Sequence, residues 1–116
     1  MNANNTESLL NYSSSLWKKK RKEILNKQPH CLCCSCLGLE TLATDVHHVI
    51  KFGKQMNTET ANNLFLDSEN LVPLCKDCHC YVHKKTELVN PVFADYLYKL
   101  KNYLTYKYPG SIWTDN

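Results

Sequence analysis

The chain has little of what marks disordered, secreted or membrane-spanning proteins. Among its 116 residues are only three glycines, and its apolar fraction of 43% is ordinary, which excludes a disordered polymer. No apolar run approaches the ~20 residues that a bilayer crossing needs, so no membrane partner is expected. The N-terminus carries Asn, Thr, Glu and Ser where a secretion signal requires a basic start and an apolar stretch, so no export is expected. Internal repeats, linkers and low-complexity tracts are also lacking, and the length suits one small domain whose limited core would profit from a metal cross-link. The net charge of +3 is modest but uneven. Lys18, Lys19, Lys20, Arg21 and Lys22 form a run of five cations that favours a polyanionic partner, although a solvated helix face has the same composition.

Cysteine and histidine are what the chain does have. All seven cysteines and all five histidines lie between His30 and His83. Their order is Cys31-x-x-Cys34, Asp45-Val46-His47-His48, Asn70-Leu71-Val72-Pro73-Leu74 and Cys75-x-x-Cys78-His79-x-x-x-His83. Paired C-x-x-C knuckles without an export signal favour metal thiolates in a reducing compartment, so a cytoplasmic location is expected. The two-residue gap lets both sulfurs of a knuckle reach one zinc ion at ~2.3 Å, and four thiolates complete a tetrahedral site. Spacing leaves the first pair open between Cys31/Cys34 and Cys33/Cys36, and leaves Cys80 unassigned. Redox chemistry or buried free thiols are the bland alternative for the second pair. Cys75-Lys76-Asp77-Cys78-His79 also fits the signature of covalent haem attachment, but that reading needs an oxidising export route and gives Cys31, Cys34, His47 and His48 no role.

Local patterning places these residues on elements. Residues 1–12 read as a polar arm. Residues 13–89 form the domain proper, and residues 90–116 a C-terminal helix and tail packed on it. Ser13 to Ser15 can cap a helix over 14–27 that ends at Gln28-Pro29. Residues 30–44 suit a knuckle and loop, and Val46 to Ile50 a short strand whose adjacent histidines point to opposite faces. Residues 51–69, rich in Asn and Thr, read as a long loop and a candidate DNA-contacting element. Leu71 to Leu74 returns as a second strand that Pro73 limits to an edge or a short pairing. A helix from Cys75 to about Leu88 puts His79 and His83 four residues apart on one face, where both can grip one ion. Asn90-Pro91 caps a last helix whose apolar stripe runs from Val92 to Leu104, with its tyrosines read as packing or interface residues.

A histidine pair alone is weak, since it can be a polar edge or a satisfied core residue. Beside the other groups it is chemically coherent: one imidazole can bind a divalent ion while the next, neutral near pH 7, takes a proton from water. An asparagine carbonyl can hold that base in its productive tautomer, and Asn70 lies opposite the first strand.

The succession C-x-x-C, D-V-H-H, N-L-V-P-L-C and C-x-x-C-H resembles the zinc-containing HNH endonucleases of ββα-metal fold, particularly the small phage and prophage type. The likeness covers about residues 12–84 and includes Tyr12, Trp17 and Arg21 ahead of the first knuckle. The gap of 12 residues between Cys34 and His47 is similar to the family gap and selects Cys31 and Cys34 as the first zinc pair. The resemblance implies an α+β fold with a ββα-metal core flanked by N- and C-terminal helices. It implies a structural zinc on Cys31, Cys34, Cys75 and Cys78, and a catalytic divalent ion, Mg²⁺, Mn²⁺, Ni²⁺ or Zn²⁺, on His47 and His79. His83 matches the position of a further imidazole in colicin-type relatives. His48 is implied as general base and Asn70 as the middle asparagine of the motif. DNA is the implied substrate, and a homodimer or a larger phage nuclease partner is in keeping with the family. Lys18, Lys19, Lys20, Arg21, Lys22, Lys51, Lys54, Lys84 and Lys85 are the candidate phosphate contacts. The family's Pro and Gly-Gly turn after the histidine pair is replaced here by Lys51-Phe52-Gly53-Lys54-Gln55. A non-catalytic zinc-bound nucleic-acid-binding module, or an accessory subunit of a packaging or restriction system, is the alternative from a different class.

Overall fold

Two four-residue strands, too short to be stable alone, organise the molecule by giving helices two faces to pack on. The computed structural model describes residues 14–51, 58–84 and 90–109. Strand β1 (Asp45–His48) pairs antiparallel with β2 (Leu71–Leu74), with Asp45 opposite Leu74 and His48 opposite Leu71. Pro73 sits opposite Val46, and β2 has no second neighbour among the described residues, which suits a residue that lacks an N–H. Both strands are buried almost throughout rather than alternately, because helices cover both faces of the sheet.

Helix α1 (Ser15–Lys27) begins where the Ser14 side chain accepts the Trp17 N–H, one residue inside the expected 13–15 cap. Its buried residues Trp17 and Ile24 pack with Val46, Phe65 and Leu71 on one face of the sheet. The opposite face carries Val72 and Leu74, which pack with Cys31, Cys33, Phe93, Leu97 and Leu104. These come from the one-turn helix α2 (Leu32–Ser35), the residue before it, and the C-terminal helix α5 (Pro91–Lys107). Gly38, at φ 77°, turns the chain back after α2 in a conformation that side chains with a Cβ rarely adopt. Helix α4 (Lys76–Lys84) follows β2 directly and contacts both strands. Among the described residues no helix is long and apolar enough to cross a membrane.

One expectation fails. Residues 58–66 of the expected 51–69 loop are a helix, α3 (Thr58–Leu66), followed by a 3₁₀ turn at Ser68–Asn70. Its Asn- and Thr-rich composition disguises Ala61, Leu64 and Phe65, which recur at helical spacing and are buried in the core. Tertiary burial outweighs weak local propensity here. The expected Val46–Ile50 strand closes two residues earlier, since Val49 and Ile50 leave the ladder to meet Asn70. The proposed arm at 1–12, the tail beyond 109 and the helical extension from 85 to 88 lie outside the described residues.

The C-terminal helix is therefore part of the core. Asn90 accepts the Val92 N–H as its N-cap and points its amide at the Cys33 carbonyl, and Phe93 and Leu104 are fully buried. Leu104→Ala should destabilise the protein by about 2–5 kcal/mol, the usual cost of a leucine-sized cavity. Urea unfolding followed by tryptophan fluorescence measures this, and a loss below about 1 kcal/mol would mean that α5 is dispensable to the core.

Candidate functional site

Two separate clusters of ligand-type side chains flank the strand pair. The first is made of thiols. Cys31 precedes α2 as its N-cap, with its sulfur accepting the Cys34 N–H at 3.4 Å, so the knuckle turns both side chains to one side. Cys75 directly follows β2 and Cys78 lies in the first turn of α4. The sulfur of Cys34 is 3.9 Å from that of Cys75 and 3.7 Å from that of Cys78. The four sulfurs of Cys31, Cys34, Cys75 and Cys78 lie within 4.8 Å of one another, and this group could hold a metal ion such as zinc. Of the two overlapping knuckle pairs, Cys31/Cys34 is the one brought into this group. Burial, then the thiols of Cys33, Cys75 and Cys34 around it, push the Cys78 thiol far above its ordinary range. Crowded thiols of this kind ionise together only when a cation compensates them, which is the chemistry of a thiolate metal site.

The second cluster is made of imidazoles. Because side chains alternate along a strand, His47 faces α4, while His48 faces the side of α1 and α3. On α4 the four-residue spacing stacks His79 and His83, whose Nε2 atoms are 2.9 Å apart. The donor atoms of His47, His79 and His83 lie within 4.8 Å of one another. His79 Nδ1–H donates to Asp45 Oδ2 at 2.8 Å, which leaves its Nε2 lone pair directed at His83. Nδ1 of His47 is buried without a hydrogen-bond partner. Burial, followed by the charges that His79 and His83 can carry, lowers the His47 pKa to about 3, so its imidazole is neutral in ordinary buffers. Imidazoles converging on one point, one of them braced by a carboxylate, form a donor set that fits a borderline divalent ion. Burial pushes the pKa of Asp45 up, but the hydrogen bonds from His79 and Thr44 outweigh it and keep the carboxylate below its ordinary range.

His48 is enclosed differently. Its ring stacks on Phe65 with centroids 5.2 Å apart and on Trp17 at 4.9 Å, and only 6% of the residue is exposed. Nε2–H donates to the Phe65 carbonyl at 2.9 Å, which assigns the lone pair of the neutral ring to Nδ1. Burial lowers the His48 pKa, and the Phe65 hydrogen bond offsets only part of that. A cavity of about 270 Å³ is lined by His48 as well as by His47, His79 and His83, with Trp17, Arg21 and Lys51 also on its wall.

Asn70 does not orient His48 as expected. Its side chain is fully buried: Oδ1 accepts the Ile50 N–H at 2.8 Å, and Nδ2 donates to the carbonyls of Ile50 at 2.9 Å and Leu64 at 2.8 Å. Its backbone carbonyl accepts the Val49 N–H as well. The residue therefore pins the chain just after His48 to the end of α3, and the group that touches the imidazole is the Phe65 carbonyl. Three of the nine candidate cations are accounted for locally or on the cavity wall. Arg21 donates to the Thr44 carbonyl and lines the cavity, Lys51 lines it beside His83, and Lys20 pairs with Glu23 at 3.3 Å. Lys18, Lys19, Lys22 and Lys84 are exposed and do not line the cavity. Lys54 and Lys85 lie outside the described residues.

Asp45 stands in the D-V-H-H segment, where nothing in the motif alone marks it as a brace. Its position two residues before His47, on the same strand face, was the available signal, because imidazole ligands commonly lean on a carboxylate. The Phe65 carbonyl carried no signal, since a backbone oxygen has no sequence signature.

Asn70→Ala should cost at least about 3 kcal/mol, because two groups of Ile50 and one of Leu64 lose buried partners. Guanidinium unfolding of the metal-loaded protein measures it, and a loss under about 1 kcal/mol would show that those groups find water. Stripping metal with a strong thiolate-competing chelator, or Cys75→Ser, should abolish the far-ultraviolet dichroism of the folded chain. Cys36→Ser and Cys80→Ser should instead keep metal content by mass spectrometry unchanged. Neither any protein-family model nor any curated protein matches the chain.

Proposed function

We propose that the chain is a metal-dependent DNA endonuclease of the HNH type, with a ββα-metal core of β1, β2 and α4 and a structural zinc on Cys31, Cys34, Cys75 and Cys78. The observation that carries this reading is the meeting, in one cavity, of a three-imidazole cluster with a buried His48 held as a single neutral tautomer. Adjacent residues of one strand supply a ligand and a base to the same space.

In this reading His48 Nδ1 takes a proton from water, and the water oxygen attacks the scissile phosphorus. The bond from phosphorus to the 3′ oxygen breaks, leaving a 5′-phosphate and a 3′-hydroxyl whose proton comes from solvent. Arg21 and Lys51, on the cavity wall, engage the phosphate oxygens. A divalent ion bound by His47, His79 and His83 would supply the positive charge that offsets the developing anion. Asp45 holds His79 in the tautomer whose Nε2 is open to that ion. Trp17 and Phe65 exclude water from the faces of His48 and keep it neutral, so it is ready to accept a proton at neutral pH.

Supercoiled plasmid incubated with the zinc-loaded protein and Mg²⁺, Mn²⁺, Ni²⁺ or Zn²⁺ should become nicked or linear. His48→Ala, shown to be folded by circular dichroism, should cut ~10²–10⁴ times more slowly while binding DNA nearly as well. A base is active when deprotonated and burial favours its neutral form. The acid limb of the rate should therefore have its midpoint below 6.5, the ordinary histidine value. Absence of cleavage with every ion would move the reading to a non-catalytic zinc-bound nucleic-acid module.

A further inference from the structure

The last turn of α5 grips the turn that follows α3. Lys107 Nζ lies 2.7 Å from Asp67 Oδ2 and 2.6 Å from Glu69 Oε1. Tyr103 donates its hydroxyl to Glu69 Oε1 at 3.0 Å, and Tyr108 donates its own to Asp67 Oδ2. Asp67 is meanwhile the N-cap of the 3₁₀ turn, its Oδ1 accepting the Glu69 N–H at 2.8 Å and its carbonyl the Asn70 N–H at 2.9 Å. Exposed lysine pairs usually contribute little, but here one carboxylate, 14% exposed, is shared by a cation, a phenol and a backbone amide.

That turn is tied to the same helix end as His48. The carbonyls of Leu64 and Phe65 belong to the last turn of α3, among those a helix leaves without an internal partner. Asn70 Nδ2 takes the first and His48 Nε2–H takes the second. The imidazole and the turn are thus bound to adjacent carbonyls of one helix end, and Asn70 also holds Ile50, two residues past His48.

We propose that Lys107 and Tyr108 are positioning residues, which hold the turn at 67–70 so that the Phe65 carbonyl keeps His48 in its Nε2–H tautomer. This rests on reading His48 as the general base. The two residues lie beyond the part of the chain that resembles HNH nucleases, so the C-terminal helix adds a support to the site rather than only to the core. Phe93 and Leu97 anchor α5 ahead of its last turn, so losing the grip loosens the turn without releasing the helix.

The test uses the full zinc-loaded chain with Lys107→Met and Tyr108→Phe combined, beside Lys107→Arg and a control, Lys99→Met. Lys99→Met breaks the Lys99–Asp95 pair on α5 without touching the turn. In plasmid cleavage the double variant should lose roughly ten- to a hundredfold in kcat, the scale of a small misplacement of a reacting group, with KM for DNA unchanged. Lys107→Arg should restore most of the rate, and Lys99→Met should match the wild type. Nitrogen-15 spectra of the His48 ring, recorded without DNA, should show a fixed Nε2–H tautomer in the wild type and an exchanging mixture in the double variant. An unchanged His48 tautomer in the folded double variant, or an unchanged kcat, would overturn the proposal. If the wild type cuts no DNA the nuclease reading fails, and the ring spectra still decide whether α5 positions His48.

Discussion

Because Asp45 pairs with Leu74 and His48 with Leu71, every element that carries chemistry has a fixed side on which to act. Asp45 and His47 share the face that α4 approaches with His79 and His83, and His48 shares the face of Trp17 and Phe65. A slip of one residue in this register would exchange the faces and send the imidazole of His48 toward α4. The register is held from outside the ladder. Asn70, fully buried, satisfies both backbone groups of Ile50, and its carbonyl takes the Val49 amide, so the strand exit is as constrained as the pairing itself.

The four thiols depend on the same pairing. Cys34 lies on a one-turn helix packed against β2 and Cys31 caps it, while Cys75 and Cys78 follow β2 into α4. An ion among them would join the start of α4 to the knuckle, and so hold the helix that presents His79 and His83. Two short strands and a divided core bury little apolar surface, and such scaffolds gain most from a cross-link between distant parts of the chain. The thiol and imidazole clusters are separate groups, but α4 belongs to both, Cys78 to one and His79 and His83 to the other.

Burial serves the imidazoles as well as the fold. His47 and His48 are both kept neutral by desolvation, yet their partners differ. Around His47 the neighbours are other imidazoles, and its buried Nδ1 has no hydrogen bond; around His48 they are aromatic faces and one carbonyl. Imidazole donors that converge on one point suit a cation, and an enclosed ring with one assigned lone pair suits a proton acceptor. The proposed division of labour between adjacent histidines follows from these two environments.

Much of this was legible without coordinates, and the limits have physical causes. Helix α1, the N-cap at Asn90, the two strands and the two C-x-x-C knuckles are local, written in periodicity, caps and spacings. The four-residue spacing of His79 and His83 placed them on one helix face, and strand alternation separated His47 from His48. Helix α3 was hidden, because its Asn and Thr composition reads as loop and only burial of Ala61, Leu64 and Phe65 makes it helical. Motif position directs Asn70 to the base, but the contact it makes depends on the end of α3, the helix that its composition hides. The sequence alone determined which ligand types are present and which of them share a local element. Tertiary structure alone decided that Asp45 braces His79, that the Phe65 carbonyl orients His48 and that the end of α5 grips the turn at 67–70. Those contacts join residues 17 to 41 positions apart, and one runs to a backbone oxygen, which leaves no trace in residue identity.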